Sequence, residues 1–167
     1  MRIPILSLLA ILSVTALQAE PLNVGDSAPQ LVTTDQNGAE VNLGEALAEG
    51  TSLVYFYPKA DTPGCTKQAC NLRDEFEAVS KAGIKVFGVS ADTVTDQKLF
   101  SDKFSLPFTL LADKEGKVIE AFGVPTRGPG LASRQSFLIR DGKVIWRDLS
   151  AKPASQAQDA IAAANAN

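Results

Sequence analysis

The chain has no histidine. That excludes Ser-His and Cys-His nucleophile pairs, c-type haem attachment and histidine-containing metal sites. Methionine occurs only as Met1, so the rest of the chain has no thioether to oxidise. Cysteine is limited to Cys65 and Cys70, and two thiolates are too few to hold zinc where no histidine can complete the set. Basic runs are absent too: 16 Lys and Arg face 19 Asp and Glu, for a formal net charge of −3. A chain without a cationic stretch lacks the electrostatic footprint of a nucleic-acid or anionic-membrane binder.

The N-terminus carries an address. Arg2 precedes Ile3 to Leu17, apolar except for Pro4, Ser7, Ser13 and Thr15, and small residues follow at Ala16 and Ala19. This layout predicts a secretory signal peptide over 1–19, cut after Ala19 in preference to Ala16. The run is short for a transmembrane helix and lacks a basic stop-transfer flank. The expected product is one domain, 20–167, exported and periplasmic or secreted, with no membrane association after cleavage. Two cysteines in such a compartment ordinarily form a structural disulfide.

Beyond the leader, Leu31–Thr34 and Glu40–Leu43 read as extended pieces joined through Asn37-Gly38, a hairpin signal. Thr51–Tyr57 is a continuous apolar and aromatic run, the pattern of a central strand buried on both faces, and Ile84–Val89 and Thr109–Ala112 are similar. Phe137–Ile139 and Val144–Trp146 flank Asp141-Gly142, a second hairpin. Helical patterns cover Pro63–Ala82, Thr93–Phe104, Lys117–Phe122 and Pro153 to about Ala164. Alternation of this kind predicts an α/β domain, a mixed central sheet with helices on both faces, for which the thioredoxin fold is the leading candidate.

The chemistry concentrates between Tyr57 and Cys70, where a buried strand gives way to a helix. Thr62 suits an N-cap and Pro63 the first helical position, which puts Cys65 in the first turn. Unpaired amides and the helix dipole favour a thiolate there. A helix terminus supplies up to about 2 kcal/mol, roughly one and a half pKa units. A free thiol would then be only about half ionised at neutral pH, so a dependable nucleophile needs a further cation, here Lys or Arg. Cys65, Ala69, Leu72, Phe76 and Val79 form one apolar face, whereas Cys70 shares a line with Asp74 and Glu77. Pattern alone leaves Cys65 open as a core cysteine, and Cys70 as an inert thiol or half of a structural disulfide.

Pro58, Thr62 and Cys65 match Pro-x-x-x-Thr/Ser-x-x-Cys, and the segment resembles the active site of the peroxiredoxins. A second cysteine five residues on, with Tyr57-Pro58-Lys59-Ala60 and Leu72-Arg73-Asp74, resembles the bacterioferritin-comigratory or PrxQ subfamily. The family's distant arginine matches Arg134, and the likeness runs over most of Leu22–Ile161. The resemblance implies a cofactor-free thiol peroxidase. Peroxidatic Cys65 attacks hydrogen peroxide or an organic hydroperoxide, and Thr62 hydrogen-bonds the thiolate or the peroxide. Pro58 shields the site, Arg134 supplies the positive charge, and Cys70 resolves the sulfenic acid as an intramolecular disulfide. The implied partner is a thioredoxin-like or other dithiol reductant, and the expected state is a monomer or weak homodimer. Two features depart from the subfamily: export, and a short segment containing Thr126–Gly130.

Rival readings are weaker. A thiol–disulfide oxidoreductase on the same fold normally uses Cys-x-x-Cys, whereas four residues intervene here. A copper-assembly factor wants histidine, and a holdase has no signature to argue from.

Overall fold

A computed structural model describes residues 20–166. The signal segment predicted over 1–19 lies outside the described residues. The chain begins with a small antiparallel pair, β1 (Val32–Thr34) and β2 (Glu40–Asn42). The turn forms as expected at Asn37-Gly38: Gly38 takes φ +78°, and Asp35 Oδ1 accepts from the amides of Asn37 and Ala39. A short helix α1 (Leu43–Leu47) follows where the second strand was expected to continue through Leu43. Asn42 ends the strand by capping this helix, its side chain accepting from Glu45 N at 3.3 Å.

The main sheet has order β5-β4-β3-β8-β9. Its centre is β3 (Thr51–Phe56), parallel to β4 (Ile84–Ser90), which is parallel to β5 (Thr109–Ala112). On the other side β3 runs antiparallel to β8 (Ser136–Arg140), which pairs with β9 (Lys143–Asp148) across Asp141-Gly142. Both turn residues take positive φ, +48° and +75°, as a tight hairpin requires. This is the mixed sheet expected from the sequence, with the two strands of the β8–β9 hairpin longer than anticipated and β5 as expected.

Every residue of β3 is buried, because the strand feeds two cores. Leu53, Tyr55 and Tyr57 meet α2 (Pro63–Asp74), α3 (Phe76–Lys81), α4 (Val94–Phe104) and α6 (Gln156–Ala166) on one face. Val54 and Phe56 meet α1 and α5 (Lys117–Ala121) on the other. The single helix expected over Pro63–Ala82 is two, broken at Glu75 (φ −97°, ψ 12°). The apolar face survives the break: Cys65, Ala69, Leu72 and Val79 are buried and Phe76 packs against them. Periodicity registers which side faces the sheet and is blind to a one-residue interruption that preserves it. One further element, β6 (Thr126–Arg127) with β7 (Leu131–Ala132), occupies the short segment expected to be a loop.

Gly88 sits in β4 opposite Tyr55, where a Cβ would lie 2.7 Å from the tyrosine's Cζ and Oη and 2.8 Å from Leu110 Cδ2. Gly88→Ala is expected to lower stability by about 1–3 kcal/mol through overpacking. Urea denaturation reads this as a lower midpoint at unchanged slope; an unmoved midpoint would mean the ring yields freely.

Candidate active site

The site lies past the carboxyl end of β3, the usual position for ligands in open α/β sheets. The strand leads through Tyr57 into a loop, Pro58–Thr62, which enters α2. Two ties from α4 and the β4 end fix that loop. Asp92, buried, accepts from Ala60 N at 2.7 Å and from Ser90 Oγ at 2.6 Å. Ser90 accepts in turn from Gln97 Nε2 at 2.9 Å, and Tyr57 Oη donates to Gln97 Oε1. Burial pushes the Tyr57 phenol well above its usual range, so it stays a neutral donor. The second tie is Lys103 to Asp61, at 2.7 Å, which holds Asp61 at φ +56°. An L-residue adopts that conformation at a cost, and Asp is among those that bear it best.

Thr62 occupies the N-cap position of α2, but its hydroxyl does not cap. It donates to Lys59 O at 2.9 Å, tightening the loop instead. The amides of the first turn therefore have no side-chain acceptor from the cap and no intrahelical one. Cys65 lies in that turn, 2% exposed, with its sulfur turned toward the sheet and Arg134. Arg134 Nη2 donates to Cys65 Sγ at 3.4 Å. Gly64 allows this approach: a Cβ there would stand 3.2 Å from the same Nη2.

Arg134 is half-buried just ahead of β8. Its other nitrogen, Nη1, donates to Gln68 Oε1. Gln68 Nε2 donates to Gln156 Oε1 at 2.7 Å, and Ser136 Oγ donates to the same oxygen at 2.8 Å. Pro58 and Arg134 border a cleft of about 490 Å³ completed by Arg127, Leu131, Leu149 and Ala151. The β6–β7 hairpin supplies its rim. A larger cavity, about 770 Å³, lies near Glu20, Lys114 and Gly123, and neither cysteine lines it.

Of the five residues singled out from sequence, Pro58, Cys65 and Arg134 converge, and Thr62 shapes the loop beside them. Cys70 does not join them: it is half-buried on another side of α2, and both thiols are free. Gln68, Gln156 and Asp92 were not anticipated. Gln68 had a signal, since it lies three residues from Cys65, on the same helical face, as a polar interruption in an apolar stripe.

A thioredoxin fold carrying a first-turn cysteine against an arginine defines the class as thiol-dependent redox proteins. The chain belongs to the AhpC/TSA family, whose model matches residues 24–147. Peroxiredoxin Bcp of Escherichia coli K12 is 49% identical over 131 residues, spanning 74% of this chain and 83% of that protein. Chloroplastic peroxiredoxin Q of Arabidopsis thaliana is 42% identical over 125 residues, 74% of this chain and 57% of its own. The crystal structure of peroxidoxin BcpB from Mycobacterium tuberculosis superposes with a TM-score of 0.80 at 33% identity, covering 86% of this chain and 96% of that one. Bacterioferritin comigratory protein of Xanthomonas campestris, studied for its alkyl peroxide reduction, gives 0.76 at 29% identity over 87% and 96%. These relatives correct the expectation of export, since the one whose name gives a compartment is chloroplastic.

Removing the Asp92 carboxylate strands a buried amide, Ala60 N–H, at the mouth of the site. Asp92→Ala is expected to cost about 1–3 kcal/mol and to slow reaction with peroxide, because the loop that enters α2 loses its anchor. Thermal unfolding and stopped-flow peroxide consumption measure the two effects; wild-type values for both would remove Asp92 from the support of the site.

Proposed function

We propose that this chain is a cofactor-free thiol peroxidase in which Cys65 reduces hydrogen peroxide and organic hydroperoxides and Cys70 resolves the product. The observation that carries the reading is the guanidinium of Arg134, 3.4 Å from a cysteine sulfur in the first turn of α2, beside an open cleft. The Cys65 thiolate attacks one peroxide oxygen; an S–O bond forms and the O–O bond breaks. The departing oxygen takes a proton and leaves as water or an alcohol, and Cys65 becomes a sulfenic acid. Arg134 steadies both the thiolate and the developing charge on the departing oxygen. Thr62 orients the peroxide once its hydroxyl turns from Lys59, and Pro58 screens the sulfur from water.

The Cys70 thiolate then attacks the sulfenic sulfur; an S–S bond forms, the S–O bond breaks, and the departing hydroxide takes a proton from solvent and leaves as water. A thioredoxin-like dithiol reopens the disulfide by exchange. Leu131 and Leu149, both partly exposed on the cleft, suit an alkyl group. One domain from residue 20 onward contains every group this cycle uses, consistent with a monomer or weak homodimer.

Cys65→Ser should abolish peroxide consumption while leaving the fold intact. Cys70→Ser should react once and then fail to turn over with a dithiol protein. Retained turnover in Cys65→Ser would end the reading.

Helix geometry adds a second expectation. Residues five apart on an α-helix are about 7.5 Å apart along the axis and roughly 140° around it, so their Cα atoms are about 8–9 Å apart. A disulfide needs less than about 7 Å. The first turns of α2 must therefore open for Cys65 and Cys70 to join. Asn71 ties α2 to α6, accepting from Ala157 N at 2.9 Å and donating to Gln158 Oε1 at 3.3 Å. Opening should loosen both helices. Hydrogen exchange is expected to be faster from Gly64 to about Arg73, and in the first turn of α6, in the disulfide form than in the dithiol form. Equal protection in the two forms, with the disulfide confirmed by mass spectrometry, would contradict it.

A further inference from the structure

We propose that Gln156, on the C-terminal helix, is a positioning residue for the peroxide reaction: it reinforces the polarity of the buried amide relay that holds Arg134 on Cys65. The inference rests on the roles proposed above for Cys65 and Arg134.

The argument begins with what arginine offers. A guanidinium has only donors, so whatever steadies it must present an acceptor. Gln68 does so through Oε1. A primary amide has two ends, however, and a half-turn about its last torsion would bring Nε2 to the guanidinium, donor against donor. Gln68 is fully buried, so no bulk water decides between the two orientations. The guanidinium selects Oε1 at its own end, and the partner of the far end adds to that selection by accepting from Nε2.

That partner is Gln156, itself 1% exposed, whose Oε1 accepts from Gln68 Nε2 at 2.7 Å. The same oxygen accepts from Ser136 Oγ at 2.8 Å, so it is engaged twice in this orientation. Flipping Gln68 would set oxygen against oxygen at one end and N–H against N–H at the other. With Gln156 present the wrong orientation is penalised at both ends; without it the NH₂ group has no acceptor there. Gln156 is placed firmly enough for this, because Asn71 anchors the start of α6 to the same helix that carries Gln68. The relay thus runs from α6 through α2 to Arg134, and its last member never touches the sulfur.

Other ionisable groups near the thiol do not supply this charge. Tyr55 and Tyr57 are buried and held neutral, their phenols pushed up chiefly by desolvation. Asp92 is committed to Ala60 and Ser90. Lys103 is committed to Asp61. Arg127 borders the same cleft as Arg134, but it is Arg134 whose guanidinium donates to the Cys65 sulfur. The pH at which peroxide attack is half-maximal therefore reports on the Cys65–Arg134 pair.

The test is single-turnover stopped flow on the full chain with hydrogen peroxide, across pH, for wild type, Gln156→Met, Gln156→Leu and Gln156→Glu. Methionine keeps the length and removes the acceptor; leucine is the second variant should methionine not fold. Either should slow attack at neutral pH by roughly tenfold and move the half-maximal pH upward. Glutamate keeps an acceptor oxygen facing Gln68 and should return the rate to within about threefold of wild type. On an Arg134→Ala background Gln156→Met should add no further slowing. Gln156→Met that loses thermal stability yet keeps the wild-type pH profile, while Arg134→Ala shifts it, overturns the inference alone. Arg134→Ala with a wild-type profile would mean that the arginine assignment has failed, and the relay's role with it.

Discussion

The contact on which the proposed chemistry depends is Arg134 on Cys65: in a chain without histidine it is the guanidinium that would steady a thiolate in the first turn of α2. Much of the surrounding structure serves it. The antiparallel pairing of β3 with β8 brings the segment before β8 alongside the exit of β3, so the arginine and the cysteine, 69 residues apart in sequence, meet. Gly64 leaves room for the guanidinium over the first turn. Asp92 and Lys103 hold the connecting loop so that α2 starts where it does. The hydroxyl of Thr62 is engaged with the loop rather than with the helix amides, which leaves the first turn polarised toward the sulfur.

The helix that presents Cys65 meets opposed demands. Its inner face, Cys65, Ala69 and Leu72, is packed against Tyr55, Tyr57 and α6. Its outer side carries Cys70, out of reach of Cys65 while the helix is intact. In the proposed cycle, the packing that aims Cys65 resists the opening that resolution by Cys70 would demand. The break at Glu75 separates α2 from α3, so the segment that must open is a short helix with an end of its own. Beside that apolar packing, polar ties oppose opening too, namely Arg134 to Gln68, Gln68 to Gln156, and Asn71 to Ala157. Such bonds exchange with water at low net cost, unlike a fully apolar seam.

Much of this was legible in the residues themselves. The all-apolar run of β3 marked a strand covered on both faces, and Asp141-Gly142 marked the β8–β9 hairpin. The spacing of Cys65, Ala69 and Leu72 against that of Cys70 separated an inward thiol from an outward one. Those features were readable because they follow from local chemistry and from periodicity. What escaped depends on contacts between distant segments. Gln156 falls 88 positions from Gln68, and no local pattern announces that two glutamines share a hydrogen bond. The small strands β6 and β7 are two residues each, below the length at which alternation is visible. The capped five-residue α1 is likewise too short for a helical period. The apolar N-terminal stretch resembled an export leader on composition alone, and the family relatives overturned the destination drawn from it.

The central claim is that Cys65 is the atom that meets peroxide. It is tested most directly by trapping the first product. The Cys70→Ser chain, treated with one equivalent of hydrogen peroxide in the presence of dimedone, should acquire one adduct per chain. Peptide mapping should place that adduct on Cys65, in the Gly64–Lys67 stretch at the head of α2. A chain that consumes peroxide and carries no adduct at Cys65 would contradict the account.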